Sequence, residues 1–109
     1  MSDTASDTDN VERLNAAIRA ELAALADEDV VAIEAATAAK LAALRAVHAD
    51  VAAGVLPPRA LLEQARDLNA EAALRARAKM ISVEKRLSRV SAQAGRPPAL
   101  TYGRDGRWA

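Results

Sequence analysis

From Val11 onward apolar residues recur at Val11, Leu14, Ile18, Leu22 and Leu25, at spacings of 3, 4, 4 and 3. Those spacings lay them on one stripe of a helix. Asp9 or Asn10 suits its N-cap, so the pattern predicts a first helix over 10–26. The phase slips across Ala26-Asp27-Glu28-Asp29 and resumes as Val30, Ile33, Thr37, Leu41, Leu44, His48 and Val51. A second helix over 28–53 follows, with Asp27 as its cap and Glu28 and Asp29 in its first turn, where the positive end of the macrodipole favours carboxylates. No Gly or Pro falls between residues 10 and 53. The phase slip and the acid cluster alone therefore favour a turn over one continuous helix.

The second helix has a clear stop. Gly54 suits a left-handed position just past it, and Val55-Leu56-Pro57-Pro58 cannot continue it. Pro58 fits the first position of a third helix over 58–94, whose stripe runs Leu61, Ala65, Leu68, Ala72, Ala76, Val83, Leu87, Val90 and Ala94, widened by Leu62, Met80 and Ile81. Gly95 and Pro97-Pro98 end it. Short connections between long amphipathic helices make antiparallel neighbours. The expected fold is all-α, an elongated antiparallel three-helix bundle built on a long helical hairpin of the second and third helices. Residues 1–9 read as a disordered acidic tail, 10–95 as a single helical domain and 96–109 as a C-terminal tail. At ~1.5 Å per residue the third helix is the longest, so its stripe near Met80 to Val90 is expected to lack cover inside the monomer. An uncovered stripe implies a partner helix.

Composition sharpens this. The chain has 109 residues and is 51% hydrophobic, but more than half of those hydrophobic residues are Ala, Phe is absent, and the aromatics are Tyr102 and Trp108. Ala buries little area, so the core must be thin and the helices close together. Lys+Arg and Asp+Glu balance at fifteen each, yet residues 1–58 carry four basic against ten acidic side chains and residues 59–109 eleven against five. Pairing of the basic third helix with the acidic first half is preferred to nucleic-acid binding, since aromatics for base stacking are scarce.

With no Cys there is no disulfide framework, thiolate metal site or thiol chemistry. The one His, His48, lies on an apolar stripe between Leu44 and Val51 and reads as a stripe-edge imidazole rather than a base or ligand. The Asp27, Glu28 and Asp29 cluster lacks the Gly and spacing of a calcium loop, and no Gly-rich segment cradles phosphate. No enzyme, cofactor or metal is expected. No run approaches the roughly 18 apolar residues of a membrane span, and Met1 to Asn10 lacks the basic and apolar blocks of a signal peptide, so the expected setting is cytoplasmic, without membrane insertion.

The tail Leu100 to Ala109 holds both aromatics outside any helical stripe, and Arg104-Asp105-Gly106 is good turn chemistry. It reads either as a frayed terminus or as a short docking motif with Tyr and Trp anchors.

The stretch Ala24 to Leu44, in which Asp27-Glu28-Asp29 leads into a helix carrying Lys40 and then Leu41 and Leu44, resembles FlgN-type flagellar export chaperones. Leu68-Asn69-Ala70-Glu71-Ala72-Ala73-Leu74, followed by Val83, Leu87 and Val90, is similar to that family's Asn-containing last helix, although the second Asn often seen there is replaced. Tyr102-Gly103-Arg104-Asp105-Gly106-Arg107 is similar to its terminal Tyr-x-x-x-Gly-Arg signature, the most specific of the three pieces. The resemblance covers roughly residues 10–107, in a chain shorter than typical members before the acidic turn.

The resemblance implies a non-enzymatic cytoplasmic chaperone that holds hook-associated (hook-filament junction) proteins and delivers them to the flagellar type III export gate. It maps client binding to Met80, Val83, Leu87 and Val90, and export-gate docking to Tyr102 with Arg107. The competing readings are a coiled-coil scaffold whose stripes form a homodimer, and the related filament-cap protein chaperone, against which the Tyr-x-x-x-Gly-Arg tail weighs.

Overall fold

A computed structural model describes residues 3–94 of the chain. They form three helices, α1 (Asp3–Asp27), α2 (Val30–Ala52) and α3 (Arg59–Gln93), with no strand among the described residues. The fold is an all-α helical bundle. Helix α1 begins at Asp3, where the reading of residues 1–9 as a tail placed no helix. An acidic opening suits the positive end of a helix dipole, and Asp9 pairs with Arg13 one turn on at 3.2 Å.

A tight turn does separate α1 from α2, and its chemistry differs from the expected Asp27 cap. Glu28 takes a left-handed conformation at φ 53°. Its N–H donates to the Leu25 carbonyl at 3.2 Å and the Asp29 N–H to the Ala24 carbonyl at 3.1 Å. This is the Schellman pair of bonds that closes a helix end. Asp29, released from α1, has an extended backbone, and its Oδ1 accepts from the Ala32 N–H at 3.1 Å. The N-cap is therefore Asp29, two residues later than expected, because the left-handed residue must come first.

The other end of α2 follows expectation. Gly54 sits at φ 89°, its N–H bonds the Val51 carbonyl, and the Val55 N–H bonds the Asp50 carbonyl at 2.8 Å. Pro58 stands one place before α3 rather than at its first position. Its carbonyl accepts from the Leu61 and Leu62 N–H groups, which makes it the cap.

The chain divides into two compact units, Met1–Ala76 and a second beginning at Arg77, so the break falls inside α3. In the first unit Val11, Leu14 and Ile18 of α1, Ala43 and Val47 of α2, and Ala65 and Ala72 of α3 form one buried cluster, with Leu22, Leu61 and Leu68 packed against it. Four larger apolar side chains and three alanines make up its buried part, so backbones must lie close to fill it. Here the α2 pattern misled. Its buried face is Ala36, Ala43 and Val47, whereas Leu41, Leu44, His48 and Val51 of the apolar stripe are exposed. The seam takes the smaller side chains because α1 already supplies the large ones.

Polar groups fix how the helices register. Glu21 of α1 is almost buried, its side chain 9% exposed, and it binds Lys40 Nζ of α2 through Oε1 at 2.9 Å and Oε2 at 3.2 Å. Thr37 Oγ1 donates to the same carboxylate at 2.8 Å, and Lys40 Nζ also donates to Asn69 Oδ1 of α3 at 3.2 Å. One ammonium thus ties all three helices. Near the other end of α2, Asn10 Nδ2 donates to Asp50 Oδ2 at 2.9 Å. The buried Asn15 amide donates to the Leu61 carbonyl at 3.3 Å, while its Oδ1 has no protein partner. Among the described residues no helix is long and apolar enough to cross a membrane.

Two stability measurements follow. Asp29→Ala removes the α2 cap and is expected to cost about 1 kcal/mol in urea unfolding. Lys40→Met strands the Glu21 carboxylate and should cost about 2–4 kcal/mol, most of it recovered in Glu21→Leu/Lys40→Met, where no charge is left to bury. A double variant no more stable than the single one would contradict this account of the pair.

Candidate functional site

Among the described residues two sets of exposed apolar side chains each share one face. The first lies on the second unit. Met80, Val83, Leu87 and Val90 are spaced by 3, 4 and 3 residues, so they share one face of α3, and each is between 43% and 62% exposed. The sequence pattern expects the stripe near Met80 to Val90 to lack cover, and these four side chains, which the family resemblance maps to client binding, are exposed. Helical spacing sets Arg77, Lys79 and Arg86 beside this row with one carboxylate, Glu84, and puts Lys85 and Arg89 on the opposite face, so the ridge is apolar along its crest with a cationic excess on its flanks.

The second surface was missed in the sequence. Within the first unit a groove of about 520 Å³ opens between α2 and α3. Leu41, Leu44, His48 and Val51 form its α2 wall, Leu62, Ala65, Arg66 and Asn69 its α3 wall, and Leu14 and Ile18 of α1 its floor. These α2 residues are the stripe expected to face a neighbour. They border the groove because the adjacent row of Ala36, Ala43 and Val47 turns to the core, Val47 at the edge contributing to the groove lining as well. His48 stands in the wall beside leucine and valine, and no Asp or Glu lines the groove. The signal that could have found it is the number of stripes on α2. Leu41, Leu44, His48 and Val51 form one row and Ala36, Ala43 and Val47 another, and a helix with two usable faces has one to spare.

Neither surface carries the convergent acid, base or nucleophile that bond-making chemistry needs, and among the described residues no three His, Cys, Asp or Glu side chains could hold a metal ion. A trough of about 470 Å³ between α1 and α2 is lined mostly by alanines, including Ala17, Ala39 and Ala43. It is the hollow that close packing of small side chains leaves. The candidate docking residues Tyr102 and Arg107 lie outside the described residues.

Lys40 and Asn69 belong to separate pieces of the sequence resemblance, and the fold joins them by one hydrogen bond at 3.2 Å, with Glu21 completing the cluster. The sequence reading did not connect them, since 29 residues separate the two along the chain. Compared with protein-family models, with curated proteins and with solved structures, the chain matches none.

An exposed row should tolerate change. Met80→Ser and Val90→Ser are each expected to leave the unfolding free energy of the chain, measured in urea, within about 0.5 kcal/mol of the parent. A loss of several times that size would mean the ridge is packed after all.

Proposed function

We propose that the chain is a non-enzymatic, cytoplasmic chaperone of the FlgN type, which holds hook-associated proteins of the hook-filament junction and hands them to the flagellar type III export gate. The observation that carries the reading is the ridge of Met80, Val83, Leu87 and Val90, exposed along one face of a 35-residue helix. Exposed apolar rows of this kind are costly to solubility and are kept where a partner covers them. A client segment that is disordered when free loses entropy on docking and gains burial of its apolar face. The balance gives moderate affinity, which suits a cargo that must be released. Joining of Lys40 to Asn69 supports the resemblance further, because two residues that carry it then serve one structural task.

On this reading Tyr102 and Arg107 dock the loaded chaperone at the export gate. The helices form successive antiparallel pairs on the α2–α3 hairpin. Contacts of Asn10 with Asp50 and of Glu21 with Thr37 agree, since partners on α2 fall in number as those on α1 rise.

A second reading has its own observation. The 3, 4, 3 spacing of the ridge is also that of a coiled-coil seam, and in a parallel pair Lys79 would face Glu84 of the other copy. Light scattering separates the two, since a stable dimer that ignores hook-associated proteins favours the scaffold.

The functional test uses two variants. Leu87→Glu should abolish co-purification of the client, whereas Tyr102→Ala should leave the client bound and lower its export. Identical behaviour of the two variants would remove the division between holding and delivery.

A further inference from the structure

The groove between α2 and α3 needs an occupant of its own, and its lining says which kind. Its α2 wall extends from Leu41 to Val51, about 15 Å or three helical turns. Its apolar surface is half-open, with Leu41, Leu44, Val51 and Leu62 between 37% and 45% exposed. A groove of that length between two helices matches the apolar face of a third one, laid in by its residues at i, i+3, i+4 and i+7.

Charge decides between occupants. The charged side chains in the lining are both cationic, Lys40 and Arg66. Lys40 is neutralised by Glu21. Arg66 contacts Asp67 at 3.3 Å, but both side chains are 72% exposed, so that pair holds Arg66 weakly. Helical spacing also sets Arg45 on the Leu41 side of α2. A second copy of this chain could offer its own uncovered row, the ridge from Met80 to Val90, beside which helical spacing sets three cations, Arg77, Lys79 and Arg86, and one carboxylate, Glu84. Cationic flanks against a cationic rim repel.

We infer that the α2–α3 groove is a docking site for a short amphipathic helix with acidic flanks, supplied by a partner protein. The site is separate from the α3 ridge and does not rest on the chaperone reading. Apolar contact with Leu41, Leu44 and Val51 gives affinity, and Arg66 with Arg45 selects carboxylates on the partner.

The test is run in the Leu87→Glu background, so that the ridge makes no contribution. The probe is a fluorescent, hydrocarbon-stapled helix of three turns with Leu at i, i+3, i+4 and i+7 and Glu at the flanking positions. Its control carries Lys at those flanking positions. Fluorescence polarisation is expected to show saturable binding of the Glu helix, with the Lys helix at least about tenfold weaker and the difference shrinking as salt is raised. Leu44→Glu should remove binding, with its helical circular dichroism and melting checked against the parent. Arg66→Glu, at an exposed position that folding does not need, should weaken the Glu helix and strengthen the Lys helix.

The inference is overturned if neither helix binds, if the two bind equally, or if Arg66→Glu leaves their order unchanged. It is overturned equally if light scattering finds a dimer of the parent chain that Leu44→Glu dissolves, for then a second copy fills the groove.

Discussion

The structure depends on how little a methyl group can do. A core whose buried cluster draws three of its seven side chains from alanine gains only a small free energy from each of them. The helices must therefore approach closely enough for backbone atoms to share the packing. Close approach is tolerant of sliding, because one alanine replaces another with no change of shape. The Glu21, Thr37, Lys40 and Asn69 cluster removes that freedom. A carboxylate nearly out of water must find its ammonium, and that ammonium also meets an amide on α3, so a one-turn slip of any helix leaves a charge unpaired. Small residues allow the bundle and the polar clamp chooses one arrangement of it.

How much of this was legible in the sequence depended on whether a helix had large apolar residues on one face only. Helix α1 did. Val11, Leu14, Ile18 and Leu25 are all buried where the spacing put them. The Gly54 turn was equally plain, since glycine and two prolines leave few alternatives. Helix α2 was opaque because alanine occurs on every side of it, and the larger residues drew attention to the wrong face. Sequence pattern ranks faces by hydrophobicity, while packing ranks them by fit, and beside the large side chains of α1 the fit favours Ala36 and Ala43. The N-cap was misplaced for a different reason. Glu28 in the left-handed region is uncommon for a residue with a side chain, and nothing in Asp27-Glu28-Asp29 distinguishes which acid turns and which one caps.

The candidate sites divide along the same line. The ridge of Met80, Val83, Leu87 and Val90 was visible early because α3 is longer than anything available to cover it. The groove was invisible because it exists only when α2 is turned with its alanines inward. One rotation therefore has two outcomes, a thin seam on one side and a leucine-lined hollow on the other. A bundle that spends its small residues on its own packing keeps its large ones for something else.

Both surfaces share a chemical character, apolar along the middle and cationic at the edge, although they are made from different helices. The balanced net charge of the chain conceals this. The acidic surplus of residues 1–58 includes Glu21, which is consumed by the clamp, and Asp50, which is tied to Asn10. On α3, exposed pairs such as Arg59 with Glu63 and Arg75 with Glu71 hold their partners loosely. Two carboxylates of the first half are thus taken up by the fold, while arginines of α3 stay at the surface beside uncovered leucine, valine and methionine. A partner that satisfied both features at once would be helical, apolar on one side and acidic beside it.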